Sequence, residues 1–265
     1  MALFRMARAL IGYTGFVGGN LNRQAIFDDV YRSSNIDSIR GQHYELIVSA
    51  GISAVKWRAN RESDTDRDHV HRLLHALEEV SADRFVLIST VDVYEDPSGV
   101  NEDTAIDVRA LDPYGKHRRE AELFVQQRFP QHCIIRLPGL FGPGLKKNML
   151  YDLLVHSSQS HTHRASVFQF YDLNRLWSDM QIALDRSLPL VNFATEPVAT
   201  TEIARVAFGV TFTNTTEKPP VSYDVHSNYA ALFGGKGNYF SSKGEMLDRI
   251  TAFVASARAV QSHAL

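Results

Sequence analysis

The sequence carries the stretch Gly12-Tyr13-Thr14-Gly15-Phe16-Val17-Gly18 directly after an apolar run from Ala7 to Ile11. Glycines with this spacing, after a strand and at the start of a helix, are typical of a turn that binds a dinucleotide. The first glycine permits the tight turn, the second lets the backbone approach a pyrophosphate, and the third packs the helix against the strand. We therefore predict cofactor contacts at Gly12, Gly15, Phe16, Val17 and Gly18.

Short apolar runs alternate with helical patterns through the first two-thirds of the chain, which is typical of a parallel sheet with crossover helices. The predicted fold class is α/β, with a Rossmann-type doubly wound parallel sheet and a small C-terminal substrate lobe. We assign residues 1–145 to the dinucleotide-binding domain and 146–265 to the smaller lobe, with the segment near 189–194 returning to the main sheet. The predicted strands are Ala7 to Ile11, Asp29 to Arg32, Leu46 to Ala50, Phe85 to Thr90 and Cys133 to Leu137.

Composition limits the classes of partner. The 265 residues are 44% apolar and 22% charged, with a formal net charge of −2, which gives no electrostatic footprint for nucleic acid or an anionic membrane. No apolar run is long enough to span a bilayer, and the start shows no signal peptide, so we expect a cytoplasmic protein. The single cysteine, Cys133, excludes disulfides, and the scattered histidines predict no metal site.

The end of the second predicted strand reads Val30-Tyr31-Arg32-Ser33-Ser34-Asn35. NAD-binding turns usually place an acidic residue here, about 20 residues after the glycines, to hold the adenosine ribose. No carboxylate is present, whereas Arg32 and Ser33 offer charge-assisted hydrogen bonds to a 2′-phosphate. The cofactor prediction is therefore NADP in preference to NAD.

Two hydroxyls, Ser89 and Thr90, end the apolar run that starts at Phe85, and Tyr114 follows 24 residues after Thr90. Open α/β sheets bind ligands at the carboxyl ends of their strands. Pro113 at the start of a helical pattern predicts a helix from about Pro113 to Phe129 that carries Tyr114 on its first turn.

At these residues the sequence resembles the extended short-chain dehydrogenase/reductase superfamily, the NAD(P)-dependent sugar-nucleotide epimerases, dehydratases and reductases. Its marks are the glycine turn, Ser89-Thr90 with Val93-Tyr94 after it, the Tyr114 helix, and the run Arg136-Leu137-Pro138-Gly139-Leu140-Phe141-Gly142-Pro143. The resemblance implies that Tyr114 is the acid/base, that Thr90 shares its hydrogen bond, and that a lysine four residues after the tyrosine lowers its pKa.

Arg118 occupies the position of that lysine. It keeps a positive charge one helical turn from Tyr114, although a planar guanidinium is not equivalent to a compact ammonium. Three interpretations stay open: an active enzyme that uses Arg118, an enzyme of altered or weak chemistry, and a catalytically silent NADP-binding sensor or scaffold. The predicted catalytic residues are Thr90, Tyr114 and Arg118.

The reaction class is narrowed by Val91-Asp92, where the dehydratases of this superfamily have Asp-Glu after the catalytic Thr. This difference disfavours a 4,6-dehydratase and leaves epimerisation or net reduction of a sugar nucleotide or a related small hydroxy or keto substrate.

The Tyr114 helix is also a candidate surface for a homodimer. The predicted substrate contacts are Asp92, Gly142, Lys146, Lys147 and Asn148. The remaining predicted cofactor contacts are Arg32, Ser33, Ala50, Gly51, Ser89, Tyr114, Arg118 and Leu137.

Overall fold

The computed structural model describes residues 7–155 and 161–262, the last three of these by their backbone alone. Twelve strands and eight α-helices occur within these ranges. The strands are β1 Arg8–Ile11, β2 Asp29–Tyr31, β3 His43–Ser49, β4 Ser81–Thr90, β5 Ser98–Val100, β6 His132–Leu137, β7 Gly139–Phe141, β8 Val167–Phe168, β9 Phe170–Asp172, β10 Leu190–Asn192, β11 Val198–Ala199 and β12 Asp224–Val225. The helices are α1 Phe16–Gln24, α2 Lys56–Arg61, α3 Ser63–Leu77, α4 Pro113–Arg128, α5 Met149–Leu154, α6 Leu176–Asp185, α7 Thr200–Ile203 and α8 Lys243–Ser262.

Six strands form the central sheet in the order β10-β6-β4-β3-β1-β2. The pairings of β1 with β2, β1 with β3, β3 with β4, and β4 with β6 are all parallel. The strand order reverses between β1 and β3, so their carboxyl ends flank the crevice where open α/β sheets bind ligands. The predicted α/β fold with a doubly wound parallel sheet is confirmed.

Both faces of the sheet are buried, as a doubly wound fold requires. On one face, Ile11, Ile47 and Phe85 pack into one apolar cluster with residues of α3 and α4. Their neighbours Leu10 and Val48 are also fully buried and, because side chains alternate along a strand, point to the opposite face. On α3 the apolar residues recur at helical spacing, which places the helix on the sheet.

Two strands begin earlier than their apolar runs suggested. The structure starts β3 at His43 rather than Leu46, and β4 at Ser81 rather than Phe85. The additional residues pair with each other, His43 with Ser81 and Tyr44 with Ala82, so backbone pairing extends the strands beyond the apolar segment. Polar strand ends carry no periodic signal, so the sequence does not indicate these extensions.

The described chain divides into two compact units, and the division interleaves along the sequence. The first unit, within Met1–Glu95, Thr104–Leu137 and Asn174–Val191, contains nearly all of the central sheet. The second unit comprises Asp96–Asp103, Pro138–Leu173 and Asn192–Leu265. The assignment of cofactor binding to 1–145 and substrate binding to 146–265 stays a prediction.

The second unit contains three two-stranded sheets, β11 with β8, β12 with β5, and β7 with β9. Its apolar core joins α5, α7 and α8. The last helix begins at a capping box, because the Ser242 N–H donates to Glu245 (2.8 Å) and the Glu245 N–H donates to the Ser242 hydroxyl (3.3 Å).

Within residues 7–155 and 161–262, no helix is long and apolar enough to cross a membrane. The same residues include no group of three or more His, Cys, Asp and Glu side chains that could hold a metal ion. Burial raises the pKa of the Cys133 thiol to about 12.

Candidate active site

The glycine turn lies at the switch point of the first unit, between β1 and α1. Gly12 has a φ of +87°, and a Cβ there would lie 2.3 Å from the Ala50 carbonyl oxygen. A Cβ on Gly18 would lie 2.1 Å from the Gly12 carbonyl oxygen. Both positions therefore require glycine, one for its backbone conformation and both for close packing. Gly12 also lies against Ala50 and Gly51. The structure therefore brings together four predicted cofactor residues, Gly12, Gly18, Ala50 and Gly51.

The first turn of α1 is open to an external acceptor. Its N-cap residue, Gly15, has no side chain to cap the helix, and the turn contains no acidic residue. Thr14 and Gly15 are exposed, and the Gly15 N–H donates to the Gly12 carbonyl (2.9 Å). Free N–H groups and the helix dipole at such a site suit an anion, so the turn fits the pyrophosphate of a dinucleotide.

We expect Gly18→Ala to lower the free energy of unfolding by about 1–3 kcal/mol, because the new methyl group collides with backbone that cannot move aside. The neighbouring glycine supplies a matched control. A Cβ on Gly19 meets its nearest atom at 3.5 Å, an ordinary contact, so Gly19→Ala should be neutral or stabilising. Urea unfolding of both variants measures the difference. Equal stability of the two variants would contradict the close packing of helix on turn.

The turn after β2 exposes two of the predicted cofactor residues, Arg32 and Ser33. Asn35 shapes this turn, because its side chain accepts a hydrogen bond from the Arg32 N–H (2.7 Å) and donates to the Val30 carbonyl (3.3 Å). In the part of the chain that the structure describes, the Arg32 side chain has no hydrogen bond or ion pair. Its guanidinium is therefore available to an external anion.

Tyr114 lies at the start of α4 and is only 7% exposed. The helix start is fixed by Asp112, whose side chain accepts a hydrogen bond from the Gly115 N–H (2.9 Å), and by Pro113 in the first turn. Asn60 on α2 accepts a hydrogen bond from the Tyr114 N–H (2.9 Å) and donates to Asp112 (2.9 Å). The phenol lies close enough to the Thr90 side chain, at the carboxyl end of β4, for that side chain to lower the phenol pKa. The structure thus brings Thr90 and Tyr114 together.

Arg118 is buried on α4 with its guanidinium fully engaged. It is 3% exposed and forms a two-pronged ion pair with Asp66 on α3, in which the second contact is 3.0 Å. One guanidinium nitrogen also donates to the Ser53 carbonyl. The guanidinium carbon lies 4.0 Å from the centroid of the Tyr114 ring. The planar guanidinium has several N–H donors and makes these contacts simultaneously, whereas a lysine ammonium does not. This geometry accounts for arginine at the position where the resemblance implies lysine.

Asp66 is the carboxylate that balances this buried cation. It also contacts Nδ1 of His117 at 2.8 Å. Burial opposes the charged form, but hydrogen bonds from Arg118 and His117 outweigh burial and hold the pKa of Asp66 below its ordinary value of 3.8.

The phenol of Tyr114 is a weak acid in this environment. Burial and, next, the negative charge of Asp92 raise its pKa to about 12, against the opposing effects of Arg118 and the Thr90 side chain. Asp92 follows β4 in a short 3-10 helix and forms an ion pair with Lys56 on α2 at 2.9 Å. The Lys56 ammonium lies 6.0 Å from the Tyr114 ring centroid. Two cations and two carboxylates therefore surround one phenol.

Ser89, a predicted cofactor residue, lies in a different environment from Thr90. Its hydroxyl donates to Glu122 (2.6 Å) on α4, and the two charged groups of Arg136 and Arg119 also bind that carboxylate. Successive residues of a strand face opposite sides of the sheet, which separates Ser89 from its neighbour. Leu137 is buried at the end of β6. The predicted cofactor contacts of both residues stay predictions.

The other predicted substrate residues belong to the second unit. Lys146 and Lys147 are exposed on the loop before α5. The Asn148 side chain accepts hydrogen bonds from the N–H groups of Leu150 (3.0 Å) and Tyr151 (3.2 Å), so it caps α5. Gly142 is buried with a φ of +152°. Their substrate contacts stay predictions.

Sequence reading missed Asp66, Lys56 and Asn60. Asp66 could have been found, because it lies one helical turn before Val70 on the apolar face of α3, and a carboxylate on such a face requires a buried cation. Lys56 and Asn60 lie on a short helix whose sequence has no apolar periodicity. Only the folded chain brings these two residues to Tyr114.

Solved structures with the same fold include three sugar-nucleotide enzymes. The dTDP-4-dehydrorhamnose reductase of Clostridium acetobutylicum is 14% identical, with 95% of this chain and 99% of that chain covered at a TM-score of 0.72. The UDP-glucose 4-epimerase of Thermotoga maritima, solved with UDP-glucose, is 12% identical, with 96% and 99% covered at 0.71. The dTDP-4-dehydrorhamnose reductase of Bacillus anthracis, solved with NADP, is 16% identical, with 95% and 99% covered at 0.71. At these identities the likeness shows the fold.

No curated protein matches the sequence. A family model described as the NAD dependent epimerase/dehydratase family matches residues 28–167, just over half of the chain. The match confirms the resemblance found in the sequence and, at the level of the family, the prediction of a nicotinamide dinucleotide cofactor. The family and the solved structures together support an NAD(P)-dependent enzyme of the epimerase, reductase and dehydratase type. The chain belongs to the NAD dependent epimerase/dehydratase family.

Proposed function

We propose that the chain is an NAD(P)-dependent epimerase or reductase that acts on a sugar nucleotide, with Tyr114 as acid/base. The observation that carries the proposal is the buried phenol of Tyr114, which lies beside the Thr90 side chain and two cations, in the same unit as the glycine turn. A tyrosine packed only for its apolar ring would not need this polar environment.

The dinucleotide is proposed to lie on the turn at Gly12, Gly15 and Gly18, next to Ala50 and Gly51. When bound, it supplies the acceptor or donor of hydride. The work of the chain is to move a proton at the Tyr114 Oη. As a substrate hydroxyl is oxidised, Oη accepts its proton, and as a carbonyl is reduced, Oη donates one. The Thr90 hydroxyl holds the phenolate form by donating a hydrogen bond to it.

We expect NADP to bind more tightly than NAD because of Arg32. Arg32→Ala should weaken NADPH binding about tenfold to a hundredfold, the effect of losing a charge-assisted hydrogen bond, and leave NADH binding nearly unchanged. Arg109→Ala removes another exposed arginine of the same unit, paired with its near neighbour Asp107, and serves as the control. Fluorescence titration with each cofactor measures both affinities. Tighter binding of NADH by the unaltered protein would overturn the preference.

The proposed substrate class follows the solved structures, of which one holds UDP-glucose and two are named for dTDP-linked sugars. Lys146 and Lys147 offer two positive charges to a diphosphate, in keeping with that class. Asp92, which stands where dehydratases have their second carboxylate, is proposed to contact the sugar. The absence of the first carboxylate at Val91 favours epimerisation or reduction over 4,6-dehydration.

A catalytically silent NADP-binding protein is the second candidate. Its support is the pKa of about 12 at Tyr114, together with the engagement of Arg118 by Asp66 and Ser53. A phenol so hard to ionise is a poor base at neutral pH. Cofactor binding fits both candidates, so only turnover separates them.

The test is a turnover assay with UDP-, GDP- and dTDP-linked sugars and their keto forms, each with NAD(H) and NADP(H). Product is followed by separation of the sugar nucleotides and by nicotinamide absorbance. We expect conversion of at least one substrate by the unaltered protein. Tight cofactor binding without conversion of any of these substrates would overturn the proposed enzyme and favour a catalytically silent NADP-binding protein.

A further inference from the structure

Helix α2 is attached to the Tyr114 helix at both of its ends. Before its first turn, the Ser53 carbonyl accepts a hydrogen bond from Arg118. In its last turn, Asn60 binds the Tyr114 N–H (2.9 Å) and the Asp112 carboxylate (2.9 Å). These contacts fix α2 beside α4, so the side chains of its first turn have a defined position relative to the phenol.

Lys56 is the first residue of α2, and its side chain is 43% exposed. Its ammonium lies 2.9 Å from Asp92 and 6.0 Å from the centroid of the Tyr114 ring. An ammonium at this range from a phenol, partly in contact with solvent and held by one carboxylate, retains freedom to approach a developing negative charge.

Arg118 lacks this freedom, although its carbon is nearer to the ring. Its guanidinium is buried and is matched by the carboxylate of Asp66, which it contacts twice. The two charges act on Tyr114 in opposite directions, since Arg118 lowers the pKa of the phenol and Asp66 raises it. Arg118 is therefore fixed in place and cannot move closer to the phenol oxygen as negative charge develops there.

We propose that Lys56, held by Asp92, is the cation that stabilises the phenolate of Tyr114, in place of the lysine that Arg118 replaces in sequence. The inference rests on the proposed function of Tyr114. Lys56 acts through the tyrosine and is therefore a positioning residue. The groups that face the phenol are Lys56 on α2, Asp66 on α3, Thr90 and Asp92 after β4, and Arg118 on α4.

The experiment titrates the phenol directly, without turnover. Difluorotyrosine at position 114 lowers the intrinsic phenol pKa, so that a lysine side chain, ordinarily protonated below about pH 10, stays charged through the titration. Fluorine NMR of the cofactor-free protein follows ionisation. We expect Lys56→Gln to raise the phenol pKa by about one unit or more, because the cation is lost and Asp92 is left beside the phenol.

Two variants make the result specific. Lys56→Arg keeps the charge and should restore most of the shift. Arg58→Gln removes a cation from the same helix that pairs with Glu62 (2.8 Å), away from the phenol, and should leave the pKa unchanged. An unchanged phenol pKa in Lys56→Gln, or an equal shift in Arg58→Gln, would overturn the inference.

Activity provides a second, separable readout. If the proposed function holds, Lys56→Gln should lower kcat for hydroxyl oxidation about tenfold or more at neutral pH, move the acidic limb of the kcat profile to higher pH, and change KM little. If Lys56→Gln shifts the phenol pKa in the NMR experiment but the protein converts no substrate, the proposed function is wrong and the inference about Lys56 stands. If the enzyme is active but Lys56→Gln changes neither the phenol pKa nor the pH dependence of kcat, the inference about Lys56 is wrong and the proposed function stands.

Discussion

Tyr114→Phe should lower kcat by about 10²- to 10⁴-fold on any substrate that the protein converts, which is the usual contribution of a positioned acid/base. The substitution removes one oxygen, the atom proposed to carry the proton. The ring stays, so its stacking against Arg118 (4.0 Å) and the packing of α4 are preserved. Steady-state kinetics and cofactor titration on the same preparation measure the two effects separately.

Cofactor affinity should change little, since Tyr114→Phe removes one of many predicted cofactor contacts and leaves the glycine turn and the turn after β2 untouched. Tyr223→Phe is the matched control, because this tyrosine stacks on Phe168 in the second unit and Phe preserves that contact. Its kcat should equal that of the unaltered protein. Activity that survives in Tyr114→Phe would assign the proton transfer to another group and remove the mechanism proposed above.

The fold was predictable because it depends on local patterns. The glycine turn follows an apolar strand, and Pro113 marks the start of a helix that the structure ends at Arg128, one residue before the predicted end. These signals lie within a few residues of each other in sequence. The family model begins at residue 28, after the turn, so the case for dinucleotide binding at Gly12 to Gly18 rests on the chain's own geometry.

The electrostatics of the site were less predictable, because they depend on residues that are far apart in sequence. Arg118 and Asp66 are 52 residues apart, and the sequence alone assigned the charge of Arg118 to Tyr114 without its counterion. Lys56 comes from a third element, and its pairing with Asp92 depends on the packing of α2 against the end of β4. The sequence indicated which groups carry charge, whereas the fold determines which charges cancel.

Asp66→Asn should lower the free energy of unfolding by about 3–5 kcal/mol, the cost of leaving a buried cation without its partner. The guanidinium of Arg118 is 3% exposed, so water cannot replace the lost carboxylate. Asp64→Asn on the same helix is the control. Its carboxylate is 88% exposed and pairs with Arg67 at 3.2 Å, and surface pairs of this kind contribute about 0–1 kcal/mol.

The dependence of stability on pH gives a second check on the buried pair. The pKa of Asp66 is held below its ordinary value of 3.8, so in the folded protein the carboxylate binds its proton less readily than in the unfolded chain. Its contribution is then fully present above about pH 5 and is lost as the pH falls through the folded-state pKa. Asp66→Asn lacks this contribution, so its stability should fall less steeply with acid than that of the unaltered protein. Parallel acid limbs, or a loss of stability no larger than that of Asp64→Asn, would mean that the pair with Arg118 does not hold α3 to α4, and the placement of Tyr114 would then need another cause.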